Sequence, residues 1–198
     1  GQLGLAEAYF AQAATADPGF AFVDADGDGL FSVLSGDAPV ESALLEDGAF
    51  DTSKPEGEYP GAGIGASLVV PPSAGPITTA NTKGLSLTAD GHLFVYADID
   101  ASGSGSLSLT SRTGNVTLGD ETDDETVDLE AARSITVNAK LGAASGRELS
   151  LDGGTIRVTA DTIDFADVAL TADTTISLVG TGVTVDDSNL TSLFAGKI

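Results

Sequence analysis

One stretch of this chain is dense enough in ligand atoms to do chemistry: Asp24-Ala25-Asp26-Gly27-Asp28-Gly29-Leu30-Phe31-Ser32. Carboxylates at positions 1, 3 and 5 with glycine at 6 have the spacing of an EF-hand-type calcium loop, which surrounds a hard cation with oxygen ligands. On that reading Leu30 supplies its backbone carbonyl at position 7, and Ser32 a hydroxyl or a bridging water at position 9. Position 12 is Ser35 in place of the bidentate Glu, and Asp37, two residues on, is the available substitute. The set expected to hold Ca2+ is therefore Asp24, Asp26, Asp28, Leu30, Ser32 and Asp37. Without the bidentate Glu the expected affinity is of the weak, extracellular kind, with Kd about 10⁻⁴–10⁻³ M. The competing reading is an ordinary acidic Asp-Gly turn that holds no ion.

Other reactive residues are sparse. Asp120, Glu121, Asp123, Asp124 and Glu125 form a second acidic run between two strand-like segments. Carboxylates so close repel unless solvated or cation-bound, and a solvated loop is the ordinary outcome. His92 is the only histidine, and no nucleophile elbow accompanies it, so a Ser-His-Asp triad is not supported. Arg112, Arg133, Arg147 and Arg157 are the bases that a polysaccharide-cleaving site would need, but none sits in a recognisable acidic constellation. The glycine-rich GAGIGA at 61–66 is followed by neither Lys nor a helical pattern, which excludes a phosphate loop. No catalytic residue is expected, and the chain reads as a non-enzyme.

Charge narrows the partners. With 30 acidic against 8 basic residues, the formal net charge is -22, so no basic patch exists to meet nucleic acid. Such self-repulsion is tolerated where salt shortens the Debye length to about 3 Å at 1 M, or where divalent cations load the surface. A halophilic or seawater-like extracellular setting is the expectation. There is no cysteine, hence no disulfide, thiol nucleophile or thiolate metal site. There is also no methionine, so Gly1 reads as a processing boundary, with a signal peptide or anchoring helix expected to have been removed upstream. No run of 18 apolar residues occurs that would span a membrane.

These residues need elements to position them. Residues 2–16 read as a short helix, with Leu3, Ala6, Phe10 and Ala13 at helical spacing and Asp17-Pro18 as its stop. It would cap the open end of the fold, or be the tail of a longer helix of pilin-like kind. Residues 19–50 alternate apolar runs (FAFV, LFSVL, ALL) with acidic turns. Residues 51–83 carry five prolines and the GAGIGA run, which argues for an irregular wrapping segment in which SLVV at 67–70 is at most an edge strand. The expected division is an N-terminal region over 1–83 and a β domain over 84–198.

From Gly84 the texture changes to segments such as GLSLTA, GSLSLTS, RSITVNA, GTIRVTA and TTISLVG. Each carries two apolar residues one apart, the period-two mark of a strand with one buried face. The apolar positions recur so that Val137, Val158 and Leu178 fall 21 and 20 residues apart, while aromatics are only 6% of the chain. A core of thin aliphatic layers repeating every 20 residues or so, three strands per turn, is a right-handed, three-sided parallel β-solenoid. The structural competitor is an antiparallel sandwich, but Asp90-Gly91 and Asp152-Gly153 are the only Asp-Gly or Asn-Gly hairpin signals in this part, and the links are too short.

The stretches GSLSLTSRTGNVTLGD, ARSITVNAKLGAASGRELSLDGGTIRVTADTI and TTISLVGTGVTV resemble the G-x-[VIL]-x-[VIL]-x-[AGS] repeats of filamentous-haemagglutinin-type adhesins. Polymer-forming β-helical proteins of the bactofilin kind are similar in texture. The resemblance covers residues 84–193 and implies an elongated, non-catalytic surface protein. The function expected is a cell-surface filament subunit or adhesin stalk, partnered by copies of itself, another surface subunit or glycans. The alternatives are a polysaccharide-active β-helix enzyme and a virion surface protein.

Overall fold

A computed structural model of the chain describes residues 21–40, 45–46, 48–53, 65–79, 84–103, 105–119 and 126–192. The helix expected over 2–16 and the acidic run 120–125 lie outside these residues. The described part is all-β. Its strands are β1 (Ala21–Asp24), β2 (Ala38–Val40), β3 (Ala49–Asp51), β4 (Ser67–Val70), β5 (Ile77–Thr78), β6 (Leu85–Ala89), β7 (Leu93–Val95), β8 (Ile99–Ala101), β9 (Ser106–Ser111), β10 (Val116–Leu118), β11 (Val127–Val179), β12 (Gly182–Asp186) and β13 (Asn189–Ser192). They form one mixed sheet that curls into a half-barrel. Among the described residues, no helix is long and apolar enough to cross a membrane.

Only β1 pairs antiparallel, with β2 on one side and β4 on the other. All other pairs are parallel, and they fall into files. Phe50, Leu87, Leu109 and Val137 are successive register partners through β3, β6, β9 and β11. Leu68, Leu93, Val116 and Ala144 follow through β4, β7, β10 and β11. Ile77, Ile99 and Leu129 follow through β5, β8 and β11. All eleven of these residues are almost fully buried, and burial of each large aliphatic side chain contributes about 1.5–3 kcal/mol.

The offsets between partners explain how the repeat is built. At the C-terminal side they are 20 residues, as in Ile163 with Val183 and Leu170 with Leu190. Across residues 120–125 they become 28 and 30, as in Leu109 with Val137 and Ile99 with Leu129. The flanking strands therefore keep parallel pairing although their partners lie further apart in sequence here.

β11 is continuous over 53 residues. Straight, it would be about 175 Å long at 3.3 Å per residue, against a radius of gyration of about 16 Å for a domain of this size. It must bend, and its burial pattern shows where. The in–out alternation slips near 132–133, 140–143, 147–148, 154–155, 161–162, 166–167 and 173–174. At two of these bends Glu148 and Asp167 adopt positive φ, and Asp187 does so after β12. These three lie 19 and 20 residues apart, so a left-handed backbone position recurs at nearly the same spacing as the register offset. Hydroxyls lock successive bends together: Thr174 Oγ1 donates to the Gly154 carbonyl at 2.7 Å, and Thr181 Oγ1 to the Asp161 carbonyl at 2.8 Å.

The N-terminal region takes part in the sheet more fully than its proline content predicts. SLVV forms β4, an inner strand between β1 and β7 rather than an edge. Its residues are all buried, and one continuous hydrophobic cluster runs from Ala21 to Ile176. Proline is tolerated here because it sits between strands: Pro71 and Pro72 end β4 in a 3-10 turn.

Candidate metal centre

The calcium-type motif occupies the connection between the antiparallel strands β1 and β2. β1 ends on Asp24, which is fully buried, while Asp26 and Asp28 are exposed. One carboxylate oxygen from each of the three lies within 4.8 Å of the others. Gly27 and Gly29 hold φ of +77°, a left-handed conformation that glycine adopts without a Cβ clash. Those two reversals let alternate carboxylates converge, and each also turns an N–H inward. Gly27 N–H donates to Asp24 Oδ1 at 2.7 Å and Gly29 N–H to Asp24 Oδ2 at 2.9 Å. Leu30 N–H donates to Asp28 Oδ1 at 2.8 Å.

Asp37 clamps the base of the loop. Its Oδ1 accepts from Ala25 N–H at 2.8 Å and its Oδ2 from Ser32 N–H at 2.7 Å. It is buried, and it is not one of the three carboxylates that converge. Ser32 is fixed through its backbone, its carbonyl accepting from Ser35 N–H at 3.0 Å and Asp37 N–H at 3.3 Å. Leu30 leaves its side chain 69% exposed, so a role there falls to its backbone. The six residues named from the sequence thus divide into a converging trio (Asp24, Asp26, Asp28), a clamp (Asp37) and two backbone positions (Leu30, Ser32).

The electrostatics of the trio are uneven. Burial holds the Asp24 carboxyl above the usual carboxylate range, its bond with Asp26 and the charge of Asp37 push the same way, and the Gly29 and Gly27 N–H groups pull it back. The Ser35 hydroxyl holds Asp26 below that range, helped by the Asp28 N–H. A buried carboxylate facing two others is costly in water, and a dication with six to eight oxygen ligands removes that cost. The donor set, all hard oxygen, fits Ca2+ or Mg2+ rather than a soft metal.

The loop rests on the sheet. Phe31 packs edge-on against Phe22 of β1 with ring centroids 5.4 Å apart. A β-carbon on Gly29 would lie 4.0 Å from the Phe94 ring, and one on Gly27 would lie 3.6 Å from His92. His92 is held in turn: its Nδ1 accepts from Asn115 N–H at 3.0 Å, and its backbone N–H donates to Ser67 Oγ at 2.9 Å.

Sequence reading did not find the pairing of Arg112. Its guanidinium grips Asp51 at 2.6 and 2.8 Å, with Ser53 as a further acceptor, and this holds Asp51 down at about 2. The partners are 61 residues apart and no local pattern joins them. Arg147 reaches Asp164 at 2.7 Å. A shallow groove of about 180 Å³ runs between bends of β11, lined by Glu130, Asp152 and Asp173 with Ser102 and small residues; no Arg, Lys or His lines it.

No family model, no curated protein and no solved structure matches this chain.

Proposed function

We propose that the chain is a non-enzymatic, extracellular structural module: a right-handed, three-sided parallel β-solenoid of about 20 residues per coil. It serves as a subunit of a cell-surface filament or as an adhesin stalk in a salt-rich medium, and the loop from Asp24 to Asp37 is stabilised by calcium. The observation that carries the reading is the set of parallel files with interior partners such as Leu87, Leu109 and Val137, repeated at 20-residue offsets toward the C-terminal side. Three bends per repeat in β11 support three sides. A right-handed coil is the expectation for parallel strands joined by crossovers, which take that hand in about 98% of cases.

Function follows from what a stack leaves open. Coil edges carry unpaired backbone groups that another chain can satisfy, so the partners are copies of the chain or another surface subunit, with glycans as a further class. The acidic surface keeps such rods apart at low salt and allows contact when charge is screened. In the loop, Asp24, Asp26 and Asp28 would hold the ion, with the Leu30 carbonyl, Ser32 and Asp37 completing an oxygen set. Binding to the folded state adds to stability by mass action.

Electron microscopy of the native protein in molar salt tests the assembly: filaments or uniform rods are expected, and dispersed globular particles with glycan-cleaving activity would refute it. A melting scan with calcium and with chelator tests the loop. Wild type should gain stability with calcium and Asp26→Ala, an exposed substitution, should not. Equal shifts in both, or none in either, would leave only an acidic turn.

A further inference from the structure

The chain holds two Asn-x-Thr triplets without proline in the middle, Asn115-Val116-Thr117 and Asn189-Leu190-Thr191. This is the acceptor pattern of N-linked glycosylation, which puts a bulky solvated group on a surface amide. The pattern recurs by chance in Thr-rich chains, so geometry must choose between the two.

At the entry to β10, Asn115 is tied down. Its Oδ1 accepts from Ala143 N–H at 3.0 Å, 28 residues on, and a β-carbon on Gly142 would come within 2.7 Å of that oxygen. The Thr117 hydroxyl is engaged by Ser145 Oγ at 3.4 Å. The Asn115 amide oxygen is thus committed to the next strand, and the Thr117 hydroxyl accepts from that strand rather than donating to Asn115. At the start of β13 the case differs. Period two puts Asn189 and Thr191 on one face of the strand and Leu190 on the other, in register with buried Leu170. Asn189 is exposed. Thr191 Oγ1 donates to Asn189 Oδ1 at 3.3 Å, and among the described residues no other hydrogen bond of the Asn189 side chain is found. The hydroxyl that the motif requires therefore already addresses the amide oxygen, and the amide nitrogen is left to solvent.

We propose that Asn189 is an N-glycosylation acceptor, with Thr191 as its recognition hydroxyl, and that Asn115 is a structural asparagine passed over. The donor is a glycan carried on a polyprenyl phosphate. Asn189 Nδ2 bonds to the anomeric carbon as the bond from that carbon to the phosphate oxygen breaks; the lipid phosphate leaves with the electron pair, and the one proton that the amide gives up balances the charge of that leaving phosphate. The product keeps Oδ1, so the Thr191 hydrogen bond survives. The proposal rests on the extracellular reading above, because this transfer accompanies export from the cytoplasm.

Intact-mass and glycopeptide mass spectrometry of protein from the native surface fraction tests it. A glycan is expected on the peptide containing Asn189, lost in Asn189→Gln and in Thr191→Ala and kept in Thr191→Ser. Unmodified Asn189 in surface-fraction protein overturns the proposal and leaves the extracellular reading standing. Protein found only inside the cell overturns the extracellular reading. Acceptor chemistry is then decided by incubating the folded, unmodified chain with an oligosaccharyltransferase and a polyprenyl-linked glycan. Transfer to Asn189 alone supports the proposal, while transfer to Asn115 or to neither overturns it.

Discussion

Leu109 is the residue whose truncation most directly tests how the strands are threaded. It is fully buried on β9, with Leu87 of β6 as its register partner on one side and Val137 of β11 on the other. Parallel neighbours about 4.8 Å away on both flanks cannot collapse into the space left by Leu109→Ala, because each is fixed by its own ladder. The loss should fall in the range of buried Leu→Ala changes, about 2.7–5 kcal/mol. For a 198-residue chain the unfolding entropy is about 0.4 kcal/mol per kelvin near 60 °C, so 3 kcal/mol lowers Tm by about 7 °C. The paired control is Ser108→Ala, one residue earlier. Ser108 faces outward between Ser86 and Thr136, and its substitution should stay within about 0.5 kcal/mol. Thermal unfolding followed by circular dichroism at fixed salt measures both. If Ser108→Ala costs as much as Leu109→Ala, or Leu109→Ala is silent, β9 is slipped by one residue and every side chain on it faces the wrong way.

Val158→Asp would place an unpaired charge at a fully buried site and should cost several kcal/mol, enough to unfold a marginal domain; an unchanged Tm by the same scan would show that this part of β11 is wrongly placed. Asp51 is held down at about 2 by Arg112, below its unfolded value of about 3.9. Its contribution is thus complete above pH 4 or so and fades as pH falls toward about 2, and Arg112→Gln should flatten a pH-dependent melting series in that window. The pair is partly exposed, so the effect should be about 1 kcal/mol or less. Self-repulsion at a net charge of -22 should raise Tm with ionic strength in chelator-treated protein; a flat curve between low and molar salt would contradict it.

How much of this was legible in advance differs from part to part. The β character beyond Gly84 was legible because each segment states its own in–out pattern: Ile135 and Val137, or Ile156 and Val158, alternate with polar residues and are buried as that alternation requires. The calcium-type loop was legible because its glycines and carboxylates are neighbours in sequence, and the reversals at Gly27 and Gly29 bring the trio together locally. The inner place of β4 was not. Prolines at 71, 72 and 76 mark irregular backbone, but they cannot reveal that the four residues before them are covered on both flanks by β1 and β7.

The sequence by itself therefore determined what short range decides: strand identity, the aliphatic core, the acidic surface and the converging carboxylates, all set by nearest-neighbour sterics and side-chain polarity. Tertiary structure alone decided what depends on chain separated by tens of residues. It made Asp37 a clamp on Ala25 and Ser32, paired Arg112 with Asp51, and committed the Asn115 amide oxygen to Ala143 while that of Asn189 meets Thr191. The reason is that a hydrogen-bond donor has many equivalent acceptors along a chain, and only the packed register of distant strands selects which one it meets.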